Sequence, residues 1–195
     1  MISAVILAGG ASQRMGSPKA LLKIGGRTFL EHIDDACTAA RITDRVVVLG
    51  ADAEKIRPAL AGFTGTVVVN GKWESGQLSS ILCGCDAVQG EGCHGIMVWP
   101  VDRPLVTVHL CVGLLQAFWT SGKPIIVPVF DGKRGHPVIF SKDIFDELRN
   151  APAGVGARAV LQSDPSRICH VETQEEGILM NIDTPEEYRR TIPKS

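Results

Sequence analysis

Residues 2–8 read Ile-Ser-Ala-Val-Ile-Leu-Ala and stop at Gly9 and Gly10. A run this apolar has almost no polar face to show to water, so as a strand it must be covered on both sides, which is the situation of a strand inside a parallel sheet. Runs of the same kind recur at 45–49, 66–69, 95–99 and 125–129, with stretches of helical spacing between them. Strands separated by helices of about a dozen residues imply crossover units, hence an α/β fold with a mostly parallel sheet and helices on both faces. In such sheets ligands collect beyond the carboxyl ends of the strands, where the connections diverge.

Residues 20–26 read as a short extended piece closed by a turn. Thr28, with Glu31 three residues later, makes a capping-box pattern, and Leu30, Ile33, Ala36, Cys37 and Ala40 follow at helical spacing. Asp52 is expected to cap a helix reaching residue 60, a helix from Gly76 carries Leu78, Ile81, Leu82, Cys85 and Val88, and another spans 107–119. The runs 125–129 and 137–140 flank Asp131-Gly132-Lys133-Arg134-Gly135-His136, expected as a hairpin whose polar tip includes His136. Two helices and a strand at 168–171 fill the last third, and Pro185 stands in the first turn of a final helix.

A length of 195 residues with 45% hydrophobic content suits one domain, 1–195, with a sizeable core. A net charge of -1 argues against nucleic acid or a membrane surface as partner. The opening residues lack signal-peptide features and no apolar run approaches bilayer length, so a cytoplasmic location is expected. Cys37, Cys83, Cys85, Cys93, Cys111 and Cys169 follow no disulfide-scaffold spacing and read as thiols. Cys83, Cys85, Cys93 and His94 invite a metal reading, but two helical residues at that spacing lie about 200° apart around the axis and cannot share one ion.

Three polar features are expected at the carboxyl ends of strands. Gly9, Gly10 and Gly16 permit positive φ and close approach of backbone N–H groups to an anion, and Arg14 and Lys19 add positive charge beside them. The spacing is neither that of the ATPase P-loop nor G-x-G-x-x-G. Taken alone, the loop also reads as a glycine turn with two solvated cations. Asp102, between Pro100 and Pro104, can hold Mg²⁺ against phosphates or cap the turn. Asp183 can be a second ligand or the start of the last helix. In combination they are the parts a metal-dependent phosphoryl or nucleotidyl transfer needs.

Leu7-Ala8-Gly9-Gly10-Ala11-Ser12-Gln13-Arg14-Met15-Gly16 with Lys19 resembles the signature of the nucleotidyltransferases that finish molybdenum cofactors, a loop broadly shared with sugar-phosphate nucleotidyltransferases. Gly76-Gln77-Leu78-Ser79-Ser80-Ile81, Val101-Asp102-Arg103-Pro104-Leu105-Val106-Thr107 and Gly135-His136-Pro137 resemble the CTP:molybdopterin cytidylyltransferase branch, and Asn181-Ile182-Asp183-Thr184-Pro185-Glu186-Glu187-Tyr188 resembles the closing motif. One departure stands out: cytidylyl members usually open with Ala-Ala-Gly, and Ala8-Gly9-Gly10 is more usual in the guanylyl branch.

The resemblance implies a single Rossmann-like three-layer domain of the nucleotide-diphospho-sugar transferase type. It would bind Mg²⁺ and an NTP, CTP preferred and GTP open, and transfer the nucleoside monophosphate to the terminal phosphate of molybdopterin, a phosphorylated pterin. It implies Arg14, Lys19 and Asp102 as catalytic residues and Asp102 and Asp183 as metal ligands. Leu7, Ala8, Gly9, Gly10, Arg14, Lys19, Gln77, Ser79 and Ser80 would bind nucleotide, and His136 the acceptor. For the serines, helix capping is an equal reading. A molybdoenzyme or cofactor-delivery partner fits an oxygen-sensitive product. The competing functions are nucleotidyl transfer to a sugar or alcohol phosphate, and a nucleotide-binding regulatory or chaperone-like module without turnover.

Overall fold

The computed structural model describes residues 1–88 and 92–192. β1 (Ile2–Ala8) is buried along its whole length. Its side chains alternate between two apolar layers, Ile2, Ala4, Ile6 and Ala8 on one face and Val5 and Leu7 on the other. After a loop and a 3-10 turn (Lys19–Leu21) comes a small hairpin of β2 (Lys23–Ile24) and β3 (Arg27–Thr28), then α1 (Phe29–Ala39). The Thr28 hydroxyl accepts the Glu31 N–H while the Glu31 carboxylate accepts the Thr28 N–H, which closes the expected capping box.

The chain continues through β4 (Arg45–Leu49), α2 (Ala53–Ile56), β5 (Thr66–Val69), α3 (Gln77–Ala87), β6 (Gly95–Pro100) and α4 (Val108–Ser121). Then come β7 (Ile125–Phe130), β8 (Lys133–Arg134), β9 (Val138–Ser141), α5 (Phe145–Asn150), α6 (Ala157–Ser163), β10 (Ile168–Glu172) and α7 (Pro185–Thr191). The helix after Asp52 is shorter than its pattern. It stops at Ile56 and continues to Leu60 only as a 3-10 turn, since Pro58 has no N–H for an α-helical bond. The Asp52 carboxylate makes no cap and instead accepts from Lys55 Nζ at 2.8 Å.

The strand order is β10-β7-β9-β6-β1-β4-β5, with β8 paired to β7. β6, β1, β4 and β5 are parallel, as are β7 and β10, and β9 runs antiparallel between β6 and β7. α1, α2 and α4 contribute to the apolar layer holding Ile6, while α3, α5 and α6 contribute to the layer holding Val5. Fully buried Phe29, Ile33, Ile81, Trp99 and Leu114 anchor these layers, each gaining about 1.5–3 kcal/mol from burial. The connections from β1 to β4 and β5 lead one way along the sheet, and α3 on the opposite face carries the chain back to β6 on the other side of β1. The carboxyl ends of β1 and β6 therefore bound the crevice where the connections diverge.

The hairpin after β7 differs from expectation. Its tip is Asp131 and Gly132 alone, with Val129 opposite Arg134 and Phe130 opposite Lys133. The chain then passes Gly135, His136 and a cis bond to Pro137 before re-entering the sheet as β9. Pro137 cannot donate to a ladder, so the pairing breaks there and His136 lies away from the tip. Cys83 and Cys85 lie on α3, Cys85 in the core with its thiol pushed up to about 12 by burial and Cys83 more open. Among the described residues no helix is long and apolar enough to cross a membrane, and no group of three or more His, Cys, Asp or Glu side chains converges as a metal site.

Candidate active site

The loop leaving β1 is fixed against the exit of β4. The Gly9 carbonyl accepts the Ala51 N–H at 3.2 Å, and a Cβ placed on Gly50 would stand 2.3 Å from that same carbonyl oxygen. Only a residue without a side chain lets the two backbones meet. Gly50→Ala is accordingly expected to cost about 1–3 kcal/mol of stability and to weaken nucleotide binding by displacing the loop; thermal unfolding and nucleotide titration of the variant check both.

Farther along the loop, the Ser12 carbonyl accepts N–H groups of Met15 and Gly16, each at 3.0 Å, and its hydroxyl accepts the Lys19 N–H at 3.2 Å. Met15 is buried beneath the loop and holds it to the core. Of the three glycines expected to use positive φ, only Gly16 does, at 73°, with Ser12 at 48° taking the other left-handed position. Gly9 serves close approach instead, because a Cβ there would stand 3.1 Å from Ser80 Oγ.

Asp102 follows β6 in a turn held by backbone. Val101 N–H donates to Leu7 O at 3.0 Å, Arg103 N–H to Pro100 O at 3.2 Å, and the indole N–H of buried Trp99 to Arg103 O at 3.0 Å. Asp183 arrives from the other end of the chain. Ile178 and Ile182 are buried, the Ile178 carbonyl accepts from His136 N–H at 3.2 Å and Arg103 Nη1 at 2.8 Å, and Ile182 N–H donates to Asp102 O at 3.3 Å. The last helix is capped by Thr184 and Glu187, not by Asp183, whose carboxylate is left for the cleft.

Four charges meet there. Lys19 Nζ donates to Asp102 Oδ2 at 3.1 Å and also to Asp183 Oδ1, while Arg14 Nη2 donates to Asp183 Oδ2 at 2.7 Å. The side chains of Lys19, Asp102 and Asp183 are 14%, 22% and 15% exposed, whereas Arg14 is 70% exposed. Burial pushes the Asp183 carboxyl up, but hydrogen bonds and charge from Lys19, joined by Arg14, outweigh it and hold the group below the usual carboxylate range. Two carboxylates converging on one ammonium form a hard-oxygen pair suited to a divalent ion that takes its remaining ligands from phosphate and water.

These groups open on a cleft of about 660 Å³. Leu7, Ala8, Gly9, Gly10, Arg14 and Lys19 form one wall, Gln77 and Ser80 a second, and Asp102 and Asp183 a third. Two expected contacts lie elsewhere. Ser79 is outside the lining, its hydroxyl bonded to Lys72 O at 2.9 Å and Gly76 O at 2.8 Å. His136 is also outside it; burial and the adjacent Arg103 push its ring down to about 4, partly offset by a backbone hydrogen bond with Val98, so it is uncharged at neutral pH. Sequence reasoning missed Trp73 and Glu74 in the lining and Asn70 behind it. The one available signal was a polar Asn closing the apolar run 66–69 at a strand's carboxyl end.

The profile of the MobA-like NTP transferase domain matches residues 4–169. Nicotine blue oxidoreductase from Paenarthrobacter nicotinovorans is 30% identical over 203 residues, covering 98% of this chain and 96% of that protein. The molybdenum cofactor cytidylyltransferase of Escherichia coli K12 is 26% identical, with 96% and 93% covered. The molybdenum cofactor guanylyltransferase of Haemophilus influenzae Rd is 29% identical, with 98% and 97% covered. The crystal structure of Rv0371c from Mycobacterium tuberculosis H37Rv, 25% identical, superposes with a TM-score of 0.85 over all of both chains. A complex of that protein with manganese superposes at 0.78, covering 100% of this chain and 99% of that one. With the profile spanning most of the sheet and the strand-end loops, this chain belongs to the MobA-like NTP transferase domain family, a family of nucleotidyltransferases.

Proposed function

We propose that this protein transfers CMP from CTP to the terminal phosphate of molybdopterin with Mg²⁺, releasing pyrophosphate. The observation that carries the reading is the convergence of Arg14, Lys19, Asp102 and Asp183 at one end of a glycine-loop cleft. An acceptor phosphate oxygen attacks the α-phosphorus in line, the new P–O bond forms as the bond to the β-phosphate oxygen breaks, and the electron pair leaves with pyrophosphate. The acceptor phosphate is already ionised, so no general base is required. The chain's task is alignment and charge neutralisation. Backbone N–H groups of the opening loop and the exposed Arg14 would hold the triphosphate, Lys19 would follow charge at the α-phosphate, and Asp102 and Asp183 would hold the metal. The ion, when bound, neutralises phosphate charge and fixes the leaving group.

A second nucleotide is favoured by one position. Gly9 keeps a methyl group away from Ser80, and the glycine pair of the guanylyl branch is the form present here. Incubation with Mg²⁺, molybdopterin and each NTP separately, following pyrophosphate, decides between them. Release with CTP supports the proposal, and release with GTP alone replaces it by guanylyl transfer. Release only with a sugar phosphate as acceptor overturns the pterin assignment. The 30% identity to nicotine blue oxidoreductase makes redox turnover of nicotine blue, with no pyrophosphate from any NTP, the outcome that would overturn nucleotidyl transfer itself.

A further inference from the structure

Asn70 lies just past β5, is only 6% exposed and does not itself line the cleft, but its side chain faces the segment that does. Its backbone N–H donates to Leu49 O at 2.9 Å, which fixes the residue at the carboxyl end of the sheet. The orientation of its amide follows from its partners. Lys72 N–H can only donate, and it lies 2.8 Å from Asn70 Oδ1, so the carboxamide oxygen points at the loop and the NH₂ group at α3. The two amide hydrogens go one to each serine, to Ser79 Oγ at 2.8 Å and to Ser80 Oγ at 3.0 Å.

The two hydroxyls are thereby given different tasks. A serine has one proton to donate and two lone pairs. Ser79 accepts from Asn70 and spends its proton on the carbonyls of Lys72 and Gly76, so it closes the turn that leads into α3. Ser80 accepts the same amide but makes no donor contact of its own among the described residues. It is buried, lines the cleft and stands opposite Gly9. An amide hydrogen on one lone pair turns the Ser80 proton away from Asn70.

We infer that Asn70 is a positioning residue that sets Ser80 as a hydrogen-bond donor into the cleft, where it meets an acceptor on the nucleobase edge, a carbonyl oxygen or an unprotonated ring nitrogen, while Ser79 serves only the loop. The inference rests on the nucleotide reading of the site. It separates two neighbouring hydroxyls that the sequence presents as equals.

Asn70→Asp is the decisive variant because it is nearly isosteric and keeps an oxygen for Lys72 N–H. Its second oxygen accepts where the amide donated, so the Ser80 proton is drawn back from the cleft. Binding of CTP and GTP is measured by titration calorimetry alongside inorganic tripolyphosphate, which engages the phosphate loop without a base. Asn70→Asp and Ser80→Ala are each expected to weaken the preferred NTP about tenfold, the worth of one buried hydrogen bond, with tripolyphosphate affinity unchanged. The double variant is expected to be no weaker than either single one, and Ser79→Ala to leave the NTP-to-tripolyphosphate ratio as in wild type. An equal loss of NTP and tripolyphosphate in Asn70→Asp, or no loss of either, overturns the positioning role. Wild-type protein that binds tripolyphosphate as tightly as every NTP overturns the nucleotide reading itself, a separate result visible before any variant is made.

Discussion

Asp102→Asn is expected to reduce nucleotidyl transfer by ~10³-fold or more, the scale of losing a preorganised electrostatic group at a developing charge. The fold gives this substitution little to disturb. The turn bearing Asp102 is held by Val101 N–H on Leu7 O, Arg103 N–H on Pro100 O and the Trp99 indole on Arg103 O, none of which uses the carboxylate. The only described partner of the carboxylate is Lys19, at 3.1 Å. An amide of the same shape leaves Lys19 its bond to Asp183 and removes one of the two negative oxygens that converge on the cation position. The melting temperature should therefore stay close to wild type while pyrophosphate release collapses. Manganese bound in the presence of NTP, followed by electron paramagnetic resonance, should weaken in parallel. Near-normal turnover would remove Asp102 from the chemistry and leave it as a partner for Lys19.

How much of this was legible in the sequence depended on whether the cause was local. β1 and β6 announce themselves because strands covered on both faces need unbroken apolar runs, and the Thr28 capping box is a local contract between residues three apart. The same pattern at Thr184 and Glu187 was present to be read, and reading it would have removed Asp183 from helix capping and strengthened its place in the cleft. What the sequence hides is tertiary. Nothing local says that β9 inserts antiparallel between β6 and β7, and that insertion moves His136 from a polar tip to a half-buried place beside Arg103. The shortening of α2 had a local signal in Pro58, whose missing N–H an expected helix from Asp52 to residue 60 does not take into account. Gly50 lies far from Gly9 in sequence, so its role appears only when the sheet brings β1 and β4 side by side, and Asn70 reaches Ser80, ten residues on, only through the path of the loop between β5 and α3.

Lys19→Met should lower kcat by about 10²-fold or more while changing KM for the NTP far less, because the ammonium is most needed when charge gathers at the α-phosphate. Methionine retains an unbranched stem, so the packing of this mostly buried side chain is largely kept. The charge balance changes instead. With Lys19 gone, Asp183 loses the larger of the two cationic influences that hold its carboxyl low, leaving the exposed Arg14 and the Asn181 amide as its donors against the effect of burial. Two carboxylates that shared one ammonium then face each other without it, and a divalent ion relieves their repulsion. The variant is therefore expected to bind free Mn²⁺ more tightly than wild type near neutral pH, even as its turnover falls. The two measurements move in opposite directions only if Lys19 occupies the cation position between Asp102 and Asp183 and also acts on the reacting phosphate. A loss of metal affinity together with kcat would mean that the ammonium organises the carboxylates structurally, and retention of kcat would place Lys19 outside the transition state.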